Sequence, residues 1–385
     1  MKTRRRTAEG FSLVELMVAL TAGAIVIGSI YYLGGASARH FHEQQRISQT
    51  QMSLRMAMEA LRRDVARAGF LGTPNSAVDQ RCMTPAREVV AVAFQNDADT
   101  ATIPNATENG VSADRLTLTG NFVTSDSYLA NGLNAGGSTI YLQRTWQSFQ
   151  RSFVNSETAA FDDAIFTDVF SVGRMLHIQT LQGNNFFVTV STVNPTAASV
   201  TFTPPIGVGG PCVVGLADGS TVAPISRVEY RVMRLQDETA GSTLASLDPG
   251  ASATGALGTQ LVRRELDFDG NPIAGTERVV LEYVADFNLE FIVDNAAAPG
   301  LPPALQRLNG AAAVAFVAAT PQRVRSIIVS LSARTAQHDP RFPWAARVAG
   351  QPLTRFRAAN VPGAARVRTM TTEILLPNVA YAGLR

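Results

Sequence analysis

Residues 11–33 form an apolar run of 23 residues in which Glu15 is the single charge. A helix of that length rises roughly 35 Å, enough to cross a hydrocarbon core about 30 Å thick. Gly34-Gly35 follows, a pair that can bend or interrupt a helix. Beyond it Ile47, Gln51, Leu54, Met58, Leu61, Val65 and Ala68 recur at alternating spacings of four and three. That is one helix face, apolar at every position but Gln51. Glu43, Arg46, Arg55, Glu59, Arg62, Arg63 and Asp64 fall on the other sides, and the helix is predicted to stop between Gly69 and Gly72, with Pro74 as a breaker beyond. With roughly three repeats and a polar seam position, the stripe reads as a face packed on the protein's own globular part rather than as a free coiled coil.

After about residue 75 the pattern changes to short runs of Val, Ile, Thr and aromatics separated by Asn, Gly, Asp and Pro. Strands are predicted at 89–94, 115–119, 139–143, 175–181, 186–193 and 199–203, with a hairpin turn at Gly183-Asn184-Asn185. The stretch 146–170 has aromatics without a clean period and reads as loop with a short helix. A second set of strands is predicted at 226–235, 260–266, 279–293, 323–334 and 366–376. Residues 237–258 are rich in Gly, Ala, Ser and Thr and read as a flexible loop; 294–322, rich in Ala and Pro, resist assignment. The expected fold class is α+β: a long N-terminal membrane-spanning helix continuing into a β-rich globular head packed on the helix's C-terminal half. The expected segments are 1–10, 11–33, 34–72 as the amphipathic continuation, and a head over 73–385 whose two lobes divide near 204–224.

Lys2, Arg4, Arg5 and Arg6 precede the apolar run and keep the first ten residues cytoplasmic by the positive-inside rule, which puts the remainder outside. A secretory signal peptide has the same outline, with Ala36-Ser37-Ala38 as a small-x-small cleavage site, and so does a twin-arginine signal. Glu15 weighs against both. A carboxylate in an apolar membrane segment costs on the order of 2.5–3.5 kcal/mol at its centre, and a signal's apolar core has no use for one. If the chain were cut between Gly10 and Phe11, the new amine would lie about one helical turn from Glu15, and each would offset the other's charge. Glu15 would also face the positive end of the helix dipole.

The order Gly10-Phe11-Ser12-Leu13-Val14-Glu15-Leu16 after a short basic leader resembles the class III leader of type IV pilins and type II secretion pseudopilins. The resemblance implies removal of residues 1–10 by a membrane prepilin peptidase that cuts after Gly10. It implies N-methylation of Phe11, and pairing of Glu15 with a neighbouring subunit's N-terminus. Further on, Val228-Glu229-Tyr230-Arg231-Val232, Leu261-Val262-Arg263-Arg264, a strand near 279–293 and the run from Arg325 to Arg334 look like the succession in PilW-type minor pilins. The tail from Arg366 to Val379 is similar to their terminal strand, although Pro377 stands where an arginine commonly precedes the asparagine. A minor pilin of a type IV pilus, helping to initiate or cap the filament, is what this resemblance implies. Its partners would be other minor and major pilins, the prepilin peptidase, the inner-membrane assembly machinery and, before assembly, the bilayer. The head would lie in the periplasm first and at the cell surface afterwards. A type II secretion pseudopilin and a membrane-anchored adhesin or ligand-binding protein are the alternatives.

Composition narrows the remaining chemistry. The formal charge of +2 includes +3 from the leader, leaving −1 for residues 11–385, so bulk charge gives no indication of direct nucleic-acid binding. The two cysteines, Cys82 and Cys212, form a candidate disulfide in an exported chain. His40 and His42 are two apart and do not share a helix face; His177 sits in an apolar strand and His338 in a turn sequence. No nucleophile elbow, phosphate-binding loop or zinc-binding His-Glu pair occurs, so neither an enzyme nor a cofactor or metal is expected. Asp267-Phe268-Asp269-Gly270-Asn271 departs from the calcium-loop order and reads as a hairpin turn.

Overall fold

A computed structural model describes residues 12–79, 88–207, 216, 218–235, 258–296, 302–348, 350–358 and 362–382. The chain divides into two units, Met1–Gln51 and Met52–Arg385. Helix α1, Leu13–Arg67, runs through Gly34 and Gly35 without interruption. The helical hydrogen bonds continue across the pair, and a Cβ at either glycine would meet nothing within 4 Å, so no packing contact bends the helix there.

The second unit begins inside α1. Leu54, Met58, Leu61, Val65 and Ala68 of the predicted stripe are buried, joined by Ala57, whereas Gln51 is exposed and Ile47 half-buried. Asp64 corrects the helical assignment, because it is buried rather than on a solvated side. Gly69 then adopts φ +77°, the left-handed conformation that commonly ends a helix. Its N–H donates to the Thr119 carbonyl at 2.8 Å, and the Asn378 side-chain amide donates to the Ala66 carbonyl at 3.0 Å. The second bond gives a partner to a carbonyl in the last turn of the helix, where intrahelical donors run out.

The elements that follow, in chain order, are β1 (Val92–Gln95), α2 (Ala106–Asn109), β2 (Arg115–Gly120), β3 (Tyr128–Leu133), β4 (Thr139–Leu142), α3 (Gln147–Phe153), α4 (Asp163–Val169), β5 (Met175–Gln179), β6 (Asn185–Asn194), β7 (Ser199–Thr203), β8 (Asp218–Met233), β9 (Gln260–Leu266), β10 (Arg278–Glu282), β11 (Val284–Asp294), β12 (Leu305–Leu308), α5 (Gly310–Ala319), β13 (Val324–Arg334), β14 (Arg355–Phe356), β15 (Ala365–Leu375) and α6 (Pro377–Ala382). The architecture is therefore a long apolar helix and a β-rich domain, the α+β class expected from the pattern. Two predictions are refined. The stretch 146–170 holds two helices, α3 and α4, and the strand expected over 279–293 is two strands broken at Tyr283, whose φ is +55°. The 237–257 part of the Gly/Ala/Ser/Thr-rich loop lies outside the described residues.

Strand β8 organises the head. Its first half pairs with β3 on one side and β5 on the other, and the order β8-β3-β4-β7-β6-β5 closes back on β8 as a six-stranded antiparallel ring. The ring is filled by its inward apolar residues together with Phe149 and Phe153 of α3, Phe166 of α4 and the adjoining Phe170. The second half of β8 pairs with β2 and β9. That half shares a second core with the end of α1 and with the sheet β12-β11-β13-β15-β14, in which every pairing is antiparallel. One strand thus contributes Val222 to the first core and Val228, Tyr230 and Val232 to the second.

Candidate processing and assembly site

Gly10 and Phe11 lie outside the described residues, as do both cysteines of the candidate pair, Cys82 and Cys212. Ser12 and Glu15 are described, and they cap α1 reciprocally. The Glu15 N–H donates to Ser12 Oγ at 3.2 Å, while the Ser12 N–H and hydroxyl both donate to Glu15 Oε2 at 3.0 Å. This is a capping box, in which the third residue after a serine returns a carboxylate to the helix start. Ser-x-x-Glu was readable in the sequence, and Ser12 was the residue missed. Glu15 thus meets the donors at the helix N-terminus with one oxygen, Oε2, and sits where the dipole favours negative charge.

From Leu13 to Leu33 the large apolar side chains are exposed, among them Leu13 at 74%, Ile25 at 70% and Tyr31 at 85%. In water such a surface is unfavourable by about 25 cal/mol per Å² of apolar area. Among the described residues, α1 is the one helix long and apolar enough to cross a membrane. His40 and His42 are exposed on α1. His177 is buried with Nδ1 2.8 Å from the Leu71 carbonyl and Nε2 2.8 Å from Asn185 Oδ1, its ring stacked on Phe187. His338 Nε2 accepts from the Ala358 N–H at 3.1 Å, and burial followed by nearby Arg334 lowers its pKa. The Asp267 segment is a turn in which the Gly270 N–H donates to the Asp267 carbonyl and Asn271 Nδ2 donates to Asp267 Oδ2. Among the described residues no group of three or more His, Cys, Asp or Glu is placed to hold a metal ion.

Two charged clusters hold the head together. Asp64 Oδ2 accepts from the Tyr230 hydroxyl and from Arg263 Nε, both at 2.7 Å. Burial pushes the Tyr230 phenol up, and the Asp64 carboxylate adds to the shift. The second cluster joins the two sheets. Ala113, just before β2, bridges Phe287 of β11, and each segment lends a carboxylate to the other's backbone: Asp114 Oδ2 accepts from the Leu289 N–H at 2.7 Å and Asp286 Oδ1 from the Ser112 N–H at 3.1 Å. Asp97 and Arg347 face the same cleft of about 470 Å³. Burial raises the Asp114 and Asp286 carboxyls to about 6, against the backbone hydrogen bonds, which lower them.

The family model for a prokaryotic N-terminal methylation motif matches residues 5–31. No curated protein and no solved structure matches the chain. The matched residues include Arg5, Arg6, Gly10, Phe11, Glu15 and most of the exposed apolar run of α1. This motif is the class III leader, which implies processing by a prepilin peptidase and assembly with pilin machinery, and it indicates a type IV pilin-like or pseudopilin protein.

Proposed function

We propose that this protein is a minor pilin of PilW type, a structural subunit that helps to initiate or cap a type IV pilus. The observation that carries the reading is the methylation motif over residues 5–31, which overlaps the run 13–33 of α1 whose large apolar side chains are exposed. Prepilin peptidase removes residues 1–10, Phe11 becomes the methylated N-terminus, and the helix from residue 11 to 33 holds the subunit in the inner membrane with its head in the periplasm. Assembly then exchanges lipid for neighbouring pilin helices around the exposed apolar surface. Glu15 pairs with a neighbour's N-terminal amine, and its capping contacts hold the carboxylate at the helix start for that encounter. Cys82 and Cys212 form a disulfide, which in the chain-entropy model stabilises the head by about 4–5 kcal/mol. The PilW assignment is supported by the resemblance of the residues now in β8, β9, β13 and β15, which favours this reading over a secretion pseudopilin.

Intact-mass measurement of the protein from membrane and sheared surface fractions tests the proposal. The expected result is a chain beginning at methylated Phe11 and present in the sheared fraction. The same mass before and after reduction reads whether Cys82 and Cys212 are joined. A chain beginning at Arg39 would make residues 1–38 a discarded signal and overturn the reading. A methylated chain absent from pili, in cells whose deletion strain loses secreted enzymes instead of pili, would move the protein to the secretion machine.

A further inference from the structure

Where the end of α1 meets β8 and β9, positive charge is gathered beyond what its neighbours neutralise. Tyr230, Arg263 and Arg278 are direct cross-strand partners in turn on β8, β9 and β10, so the three side chains share one face of the sheet. Arg263 and Arg278 are thus like charges placed opposite each other, an arrangement that costs stability unless something offsets it. Asp64 offsets the first of them, accepting from Arg263 Nε at 2.7 Å. Arg278 is exposed, and among the described residues it makes no hydrogen bond or ion pair. Burial and Asp64 raise the Tyr230 phenol, while Arg263 and Arg278 both oppose that rise, as positive charges near one oxygen do.

Asp64, Arg263 and Arg278 line a cleft of about 660 Å³, together with Arg63 and Arg67 of α1, Arg174 and Glu265. Arg174 is fully engaged: Nε and Nη2 donate to Glu265 Oε2 at 3.2 and 3.0 Å, and Nη1 donates to the Asp168 and Val169 carbonyls. Arg263 is not. It is 7% exposed and carries five N–H donors, yet among the described residues only its Nε has an acceptor. A buried donor without an acceptor costs about 1–3 kcal/mol, and more when it is charged. Exposed Arg63, one residue before Asp64, makes no hydrogen bond or ion pair among the described residues either. With Asp64 held by Arg263 and Glu265 by Arg174, the one carboxylate left on the wall is Asp168, against Arg63, Arg67 and Arg278. Guanidinium forks match carboxylate and phosphate oxygens, and the excess of two positive charges sets the charge of the ligand. The volume falls in the range of small-molecule clefts, roughly 300–1,000 Å³, and Phe122 and Val123 give it an apolar side suited to a short carbon chain.

We infer that this cleft binds a small dianion, whose carboxylate or phosphate oxygens are taken by Arg63, Arg278 and the Nη1 and Nη2 groups of Arg263. This goes beyond the filament role and does not depend on it. The test is isothermal titration calorimetry of the full chain in neutral detergent micelles at low salt, with succinate, inorganic phosphate, acetate and a hexaglutamate peptide as probes. Succinate, phosphate or both should bind at one site per chain, with acetate about tenfold weaker or more. Preference for succinate would assign two carboxylates to the ligand, and preference for phosphate a single phosphoryl group. Arg278→Gln and Arg63→Gln should each weaken the preferred dianion about fivefold or more. Neither side chain has a partner among the described residues, and Arg278→Gln also removes a like-charge pair, so neither change should lower the melting temperature. Arg55→Gln, on α1 outside the cleft, should leave the affinity as it was. Three results would each overturn the inference: no binding of either dianion, acetate binding as tightly as they do, or an Arg55→Gln loss equal to the other two. Binding confined to the hexaglutamate peptide would overturn it as well, by making the cleft a contact for an acidic chain.

Discussion

The side chain on which most depends in the head is Asp64, because two buried groups rely on it. Its carboxylate receives the Tyr230 hydroxyl and the Arg263 guanidinium, and Arg263 has a side chain only 9% exposed. Removing one member of such a set leaves the other charge buried without its partner, at a cost of about 3–5 kcal/mol. Asp64→Ala should therefore lower unfolding stability by that amount in denaturant titration, while Arg55→Ala on the exposed side of the same helix should change it by less than about 0.5 kcal/mol. A loss for Asp64→Ala as small as that control's would mean Arg263 finds water instead. Asp286 offers a different readout. Its carboxyl is near 3.8 in the unfolded chain and about 6 in the folded head, so between those values the folded state binds more protons. Stability from this group is fully present below the unfolded value and is lost as pH rises through about 6. Asp286→Asn keeps an oxygen for the Ser112 N–H and removes the proton. The difference in melting temperature between pH 5 and pH 7.5 should shrink in the variant, and an unchanged difference would place the titration elsewhere.

Elements in this head meet at backbone, and the end of α1 against β2 is the clearest instance. A Cβ on Gly120 would stand 2.6 Å from the Arg67 carbonyl and 3.2 Å from the Gly69 nitrogen. Neither atom can yield without disturbing the helix end or the Gly69-to-Thr119 hydrogen bond, so Gly120→Ala should destabilise the head by about 1–3 kcal/mol. Thermal melting checks this, and an unaltered midpoint would mean that the helix end shifts freely on the sheet. The helix face itself was legible in the sequence, since Leu54, Met58, Leu61 and Val65 keep the 3.6-residue period. Most strands were legible for the matching reason at period two. β3 was not, because Asn131-Gly132 gives it the composition of a turn, and the start of β8 was hidden by Gly219 and Pro224. Nor was the closed ring legible, since closure depends on β5 and β8 pairing across about 45 residues of sequence. At the N-terminus the order of residues carried the reading, because local chemistry there needs no distant partner. Asp64 shows the opposite case: its partners lie 166 and 199 residues away, and no local pattern marks them.

For the whole molecule, the division at Gln51 separates two different solvation problems. The first unit carries the exposed apolar run, and none of its described residues belongs to a core; the second carries both cores and the last turns of α1. Cutting before Met52 would therefore retain Leu54, Ala57, Met58, Leu61 and Val65 with the surfaces they bury. It would also create a helix start whose first N–H groups need acceptors, and Ser53 is a residue type suited to supply one. Residues 52–385 made as a separate chain should stay in solution without detergent and unfold in a cooperative transition. The full chain, by contrast, should partition into membranes or micelles through residues 13–33. Circular dichroism melting of the fragment and flotation of the full chain with vesicles read the two halves of this expectation. A fragment that aggregates, or melts without cooperativity, would mean that helix upstream of Met52 is required for the head to fold.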